Sequence, residues 1–122
     1  MTATVLVVDD SATVRDLLSR RLGRKGYTMM VAGDGQEGID VARRVVPNLI
    51  IMDLHMPVLD GWQATRELRK LPQTQHLPIL ALTAYDSSKD RSAAIDAGCN
   101  DFDSKPISMP RLIAKIERLL AR

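Results

Sequence analysis

The segment Leu49-Ile-Ile-Met-Asp53 decides the fold of this 122-residue chain. Its first four residues are all apolar, with no alternation of polar side chains, which is typical of a strand buried on both faces of a sheet. Such strands occur in parallel sheets that are covered by helices on each face. Because the segment ends in Asp53, a carboxylate is predicted at the carboxyl end of a buried strand.

The same pattern repeats on either side of this segment. Short strands are predicted at residues 5–8, 27–32, 79–82 and 101–104, and apolar residues recur at helical spacing between them and after the last one. Alternating strands and helices predict an α/β fold. Right-handed crossovers then favour a doubly wound, five-stranded parallel sheet in the flavodoxin-like order 2-1-3-4-5, with helices on both faces.

Caps and breakers place the predicted helices. Ser11 is a good N-cap residue for the first helix, and Gly23 and Gly26 supply its stop signals. In the second helix the apolar stripe runs through Val45 and Val46, and Pro47 ends it. The fourth helix, predicted at residues 86–97, has an apolar face made mostly of alanine, so we expect it to be loosely held.

Composition indicates one globular domain, residues 1–122, and excludes several classes of protein. Seventeen basic and fifteen acidic side chains leave a net charge of +2, and no basic run is long enough to indicate nucleic-acid binding. A lone Cys99 rules out an internal disulfide. No signal peptide or membrane span is evident, so we expect a cytoplasmic protein that does not bind a membrane.

Polar residues cluster at the predicted carboxyl ends of the strands. Asp9 and Asp10 follow the first strand, Asp53 ends the third, Thr83 follows the fourth and Lys105 follows the fifth. In an open parallel sheet these ends meet at the crevice where ligands bind. Three carboxylates packed together repel one another unless a cation neutralises them, and Mg²⁺ suits such oxygen ligands. The sequence therefore predicts a magnesium site.

Asp53 is the predicted nucleophile of this site. A carboxylate beside a metal ion can attack phosphorus and hold the phosphoryl group as an acyl phosphate. Phosphoryl transfer depends mainly on positioning and charge stabilisation, for which Lys105 supplies an ammonium group and Thr83 a hydrogen bond. The prediction is aspartyl phosphorylation.

The ordered motifs resemble the receiver domain of response regulators, the CheY-like family of two-component signal transduction. The resemblance covers almost all of the chain and rests on Val8-Asp9-Asp10-Ser11, Met52-Asp53-Leu-His-Met56-Pro57, Asp60-Gly61, Leu82-Thr83-Ala84, Ala97-Gly98 and Ser104-Lys105-Pro106. It implies that Asp53 is the phosphoacceptor, with Lys105 and Thr83 as phosphate partners. It also implies Asp10, Asp53 and the His55 backbone carbonyl as Mg²⁺ ligands, with Asp9 acting mostly through water.

The resemblance further implies a signalling role. The phosphoryl donor would be a phosphohistidine on a sensor histidine kinase or a histidine phosphotransfer protein, and a downstream protein would read the result. Thr83 and Phe102 would switch the face formed by the fourth helix, fifth strand and fifth helix. Catalysis would be limited to the chain's own phosphorylation and dephosphorylation. His55 and Tyr85 would tune the lifetime of the phosphorylated state. A cis peptide bond is implied between Lys105 and Pro106.

Three other classes of protein share part of this pattern. A hydrolase of the haloacid dehalogenase type also uses carboxylates, magnesium and a lysine. Such hydrolases have the motif Asp-x-Asp after the first strand and a cap-domain insertion, whereas this sequence has adjacent Asp9 and Asp10 and no such insertion. A flavin or dinucleotide module needs a glycine-rich phosphate loop in the first strand-to-helix turn, where this sequence has Asp9-Asp10-Ser11; its one GxGxxG match, Gly33 to Gly38, follows the second predicted strand. The chain could also be the receiver part of a longer regulator, although a stand-alone regulator is the expectation.

Overall fold

The computed structural model describes residues 2–84 and 87–121, and these residues form alternating strands and helices. The strands are β1 (Thr4–Val8), β2 (Thr28–Ala32), β3 (Leu49–Asp53), β4 (Ile79–Thr83) and β5 (Asp101–Ser104). The helices are α1 (Ala12–Arg24), α2 (Gly35–Val45), α3 (Gly61–Lys70), α4 (Ser88–Ala97) and α5 (Met109–Leu120). The predicted elements are thus confirmed in number and order.

The five strands form one parallel sheet in the order β2-β1-β3-β4-β5, as predicted. Every residue of β3 and β4 is buried, because helices cover both faces. One apolar core lies under α1 and α5 and includes Leu18, Leu22, Leu112, Ile116 and Leu119. The other lies under α2, α3 and α4 and includes Ile39, Ala42, Ala64, Leu68 and Ala94. The fold is therefore the doubly wound, flavodoxin-like one.

Two predicted helix ends were wrong. Val46 is not part of the apolar stripe of α2; it is the C-cap residue, with left-handed backbone (φ 50°), and its side chain is 43% exposed. The predicted stop at Gly23 was also wrong, because α1 continues through it to Arg24, whereas the stop at Gly26 is confirmed by its left-handed backbone (φ 101°) directly after the helix. The last turn of a helix tolerates a glycine. The left-handed conformation after the helix favours glycine strongly, because glycine has no Cβ to clash there.

The fourth helix has the weak apolar face that its sequence predicted. Ser87 is its N-cap residue, Gly98 is its left-handed C-cap residue, and its only buried side chains are Ala94 and Ala97. The predicted start, Asp86, lies outside the described residues, as does Tyr85. Within the part of the chain that is described, no helix has both the length and the apolar character needed to cross a membrane.

Candidate functional site

The site lies where β1 and β3 are neighbours, with α1 following β1 and α3 following β3 on opposite faces of the sheet. Carboxylate oxygens of Asp9, Asp10 and Asp53 lie within 4.8 Å of one another. Asp9 is 2% exposed and Asp53 is 5% exposed, whereas Asp10 is exposed to solvent. The three carboxylates predicted to meet at this crevice do so, and Asp10 leaves its edge open to incoming groups.

Local hydrogen bonds hold the turn that carries the first two carboxylates. The Ser11 backbone N–H donates to Asp9 Oδ1 over 2.9 Å, and Ser11 Oγ accepts from the Val14 N–H as the N-cap of α1. One helical turn further on, the Arg15 guanidinium donates to the Asp9 carbonyl oxygen over 2.7 Å. The β1–α1 turn is therefore fixed from both sides, and Arg15 is a supporting residue that the sequence pattern did not reveal.

Lys105 reaches this cluster from the end of β5. Its Nζ lies 2.9 Å from Asp9 Oδ2 and 3.8 Å from Asp53 Oδ2. The Lys105 N–H donates to the Thr83 carbonyl oxygen over 2.8 Å, which ties the end of β5 to the end of β4. Thr83 is fully buried, and the Lys105–Pro106 peptide bond is cis as implied. The sheet thus places the ammonium between two carboxylates.

The charge of the cluster is only partly neutralised. The pKa of Asp53 is raised to about 6: burial and the neighbouring charges of Asp9 and Asp10 raise it, and the charge of Lys105 and the His55 N–H oppose them in part. The His55 N–H donates to Asp53 Oδ1 over 3.4 Å. One ammonium among three carboxylates leaves an excess of negative charge, which a bound cation would relieve. The residues present therefore fit a hard divalent ion such as Mg²⁺.

The loop between β3 and α3 approaches Asp53 closely. The N–H of Gly61 donates to the Leu54 carbonyl oxygen over 3.0 Å, and a Cβ at Gly61 would lie 2.1 Å from the Asp53 carbonyl oxygen. Only glycine fits there. Asp60 begins α3 with a capping box that includes Gln63. Helix α3 is thereby held directly against the backbone of Asp53.

His55 and Phe102 occupy different surroundings. The His55 side chain is exposed and meets the Trp62 ring edge-on, with 4.8 Å between ring centroids, so its imidazole lies on the rim of the site. Phe102 is 7% exposed and belongs to the core cluster under α2, α3 and α4. The guanidinium carbon of Arg91 lies 5.1 Å from the centre of its ring. The sequence pattern did not reveal this cation–π contact either.

A flavodoxin-like fold with clustered aspartates and a lysine at its strand ends defines a phosphoacceptor class of signalling domain, and comparison with known proteins agrees. The model of the response regulator receiver domain matches residues 5–117. The chain belongs to this family and is a receiver domain of two-component signal transduction.

Relatives and solved structures support this assignment. The response regulator MprA of Mycolicibacterium vanbaalenii is 41% identical over 122 residues, which are 100% of this chain and 52% of that protein. The chain spans about half the length of the curated relatives it matches.

Two solved structures cover nearly the whole chain. The chemotaxis protein CheY4 of Vibrio cholerae superposes with a TM-score of 0.93 at 31% identity, covering 98% of this chain and 99% of that one. The receiver domain of the sensor histidine kinase PA1611 from Pseudomonas aeruginosa has a TM-score of 0.93 at 32% identity, covering 100% of both chains. That structure has a magnesium ion coordinated in its active site cleft.

Proposed function

We propose that Asp53 receives a phosphoryl group from a phosphohistidine of a sensor histidine kinase or a histidine phosphotransfer protein. The observation that carries this proposal is the buried Asp53 carboxylate at the end of β3, within 4.8 Å of two further carboxylates and 3.8 Å from an ammonium. A carboxylate held in this way is a nucleophile beside a charge-stabilising group. The family assignment supplies the class of donor.

Asp53 forms the new bond in the proposed reaction. An oxygen of its carboxylate attacks phosphorus, the phosphorus–nitrogen bond to the donor imidazole breaks, and the bonding electron pair leaves with that nitrogen. The product is an acyl phosphate on Asp53 and a free histidine on the donor. Because Asp53 is 5% exposed and the neighbouring Asp10 is exposed, we expect the donor to approach from the side of Asp10.

Asp10, Asp53 and the His55 backbone carbonyl are the proposed Mg²⁺ ligands, with Asp9 acting through water. The ion supplies positive charge to the phosphoryl oxygens when it is bound. The Asp9 carboxylate accepts from both Ser11 and Lys105, which leaves it less able than Asp10 to bind an ion directly. The receiver domain of PA1611, whose structure has a magnesium ion coordinated in its active site cleft, supports the proposal of a magnesium site in this chain.

Lys105 and Thr83 are the proposed phosphate partners. The Lys105 ammonium, 3.8 Å from Asp53 Oδ2, can form a charge-assisted hydrogen bond to a phosphoryl oxygen on that atom. Thr83 is the last residue of β4, next to β3 in the sheet, and its hydroxyl would donate to another oxygen. Both residues therefore respond to the new charge.

The proposed output is a change of the face formed by α4, β5 and α5, which a downstream protein reads. Thr83 ends β4, and Phe102 lies on β5, the neighbouring strand, so a change at one can reach the other. We place the module in the cytoplasm, with protein partners and no direct contact with nucleic acid or membrane. It catalyses only its own phosphorylation and dephosphorylation. His55, on the rim of the site, would tune the lifetime of the phosphorylated state.

The test is labelling by a small-molecule phosphodonor such as acetyl phosphate. The wild-type chain with Mg²⁺ should gain the mass of one phosphoryl group in a form that hydroxylamine removes, and Asp53→Asn should gain none. Asp60→Asn is the matched control, because asparagine also serves as an N-cap and α3 keeps its start. Equal labelling of Asp53→Asn, or undiminished wild-type labelling in excess chelator, would contradict the proposal.

A further inference from the structure

A cleft lies between the amino-terminal halves of α3 and α4. Its volume is about 320 Å³, and its lining residues are Asp60, Trp62, Arg66, Lys89, Asp90 and Ala93. Pockets for small ligands have volumes of about 300–1,000 Å³, so this cleft is large enough for one small molecule. It is separate from the proposed phosphorylation site, because no residue of the carboxylate cluster lines it.

The indole N–H of Trp62, one of the lining residues, is buried without a hydrogen-bond partner. Among the residues that the structure describes, Trp62 Nε1 is the buried side-chain nitrogen or oxygen for which no partner is found. A buried polar group that lacks a partner is unfavourable, and such groups are rare in folded proteins. Because no hydrogen bond fixes the ring, a small rotation would present its N–H to an acceptor in the cleft.

Charges of both signs line the cleft and are not paired with one another. Arg66 of α3 and Lys89 of α4 supply two cations, and Asp60 and Asp90 supply two carboxylates. In the described part of the chain none of these four side chains forms an ion pair, and the Asp60 carboxylate is used as the N-cap of α3. Because the four charges sum to zero, a ligand with a single charge gains little net attraction, whereas a ligand that carries both charges can meet each of them.

We propose that the cleft between α3 and α4 binds a free α-amino acid with an apolar side chain. The carboxylate of the ligand would accept from the Trp62 N–H and from the Arg66 guanidinium. Its ammonium group would donate to the Asp90 carboxylate, and its side chain would pack against Ala93. Charge-assisted hydrogen bonds of this kind are the strong ones, and the buried N–H would gain the acceptor that it lacks. The proposal does not depend on phosphorylation of Asp53.

The test is calorimetric titration with L-leucine and with L-phenylalanine, repeated with the fluorescence of Trp62, the chain's one tryptophan, as the signal. Each amino acid is compared with two analogues, one without the ammonium group and one without the carboxylate. For leucine these are 4-methylpentanoate and 3-methylbutylamine. At least one amino acid should half-saturate the protein at about 1 mM or below, with a change in fluorescence over the same range. Both of its analogues should bind at least about tenfold more weakly.

Three variants each remove one proposed contact with the ligand, and two controls make matched changes elsewhere. The variants are Arg66→Gln, Asp90→Asn and Trp62→Phe, of which the last is followed by calorimetry alone. The controls are Lys70→Gln on α3 and Asp96→Asn on α4, which remove the same charges at exposed residues outside the cleft. Each variant should weaken binding about three- to tenfold, because the charged groups of the cleft are partly screened by water. Both controls should bind as wild type does.

Several results would overturn the proposal. Half-saturation of both amino acids only above about 1 mM would show that the cleft is not a site for this class of ligand. An analogue without the ammonium group that binds as tightly as its amino acid would show a site for anions. Heat of binding without a change in Trp62 fluorescence, or equal affinities in the variants and the controls, would place the ligand outside the cleft. Failure of Asp53 to accept a phosphoryl group would leave the proposal intact.

Discussion

Replacement of Asp53 by asparagine is expected to stabilise the metal-free protein at neutral pH, although it removes the proposed phosphoacceptor. Burial and the neighbouring carboxylates raise the pKa of Asp53 from 3.8 to about 6. A shift of about two pKa units corresponds to about 3 kcal/mol of unfavourable free energy for ionising Asp53 in the folded chain. This cost is already net of the attraction to Lys105, and asparagine avoids it, so we expect a gain of about 1–3 kcal/mol at pH 7.5.

The sign of the pH dependence follows from the direction of the shift. Because the folded chain holds the Asp53 proton more tightly than the unfolded chain does, wild-type stability falls as pH rises from about 4 to about 6. Above that window the difference between Asp53→Asn and wild type should be constant. Below it the two proteins should unfold at nearly the same urea concentration, because Asp53 is protonated in both the folded and unfolded states.

The assay is urea unfolding in excess chelator at several pH values from 4 to 8. The control is Asp40→Asn, which makes the same chemical change at an exposed residue of α2 and should leave the stability almost unchanged. Saturating Mg²⁺ should then stabilise wild type more than Asp53→Asn, since the ion binds only the folded site. Equal stability of wild type and Asp53→Asn at pH 7.5, or a difference independent of pH, would refute the electrostatic reasoning.

Three further substitutions test the loop before α3 and the start of that helix. Val58 is a β-branched residue held at φ 69° in a tight turn, in which the Leu59 N–H donates to the Pro57 carbonyl oxygen. Val58→Gly should therefore raise the free energy of unfolding by about 1 kcal/mol in urea, and a lower free energy of unfolding would contradict backbone strain at this residue. Gly61→Ala should lower the free energy of unfolding by about 1–3 kcal/mol and slow labelling by acetyl phosphate, because its Cβ would displace the Asp53 carbonyl. A variant with the stability and labelling rate of wild type would contradict this prediction. Asp60→Ala should lower the free energy of unfolding by about 1 kcal/mol, because the capping box of α3 is lost. An unchanged midpoint of thermal unfolding would show that this cap does not stabilise the fold.

The sequence predicted the sheet well because each buried strand is a local apolar run. Leu49–Asp53 and Ile79–Thr83 are buried at every residue, and the polar residues that follow the strands meet at one edge because parallel strands all end there. The clustering of Asp9, Asp10 and Asp53 and the approach of Lys105 therefore followed from topology alone. Their roles in phosphorylation stay predictions until the labelling experiment is done.

Contacts between distant side chains and backbone were beyond the reach of local patterns. Arg15, Arg69 and Arg91 look alike in the sequence, as charged residues on helix surfaces. In the fold, Arg15 braces the Asp9 carbonyl, Arg69 holds the Gly98 carbonyl, and Arg91 covers an aromatic ring. Backbone conformation was equally hidden, since nothing in the periodicity indicated that Val46 and Val58 adopt positive φ angles. The pattern predicts which residues are buried, but not which long side chains bridge two elements.

The ion pair between Lys105 and Asp9 joins residues that are 96 positions apart in the chain. During synthesis on the ribosome the aspartates of β1 and β3 emerge long before the lysine that balances them, and β5 can add to the sheet only after the other four strands have been made. A nascent chain that stops before β5 therefore lacks the ammonium of the site. We therefore expect the proposed phosphorylation site to be complete only after β5 has joined the sheet, and a domain that lacks β5 should be a poor phosphoacceptor.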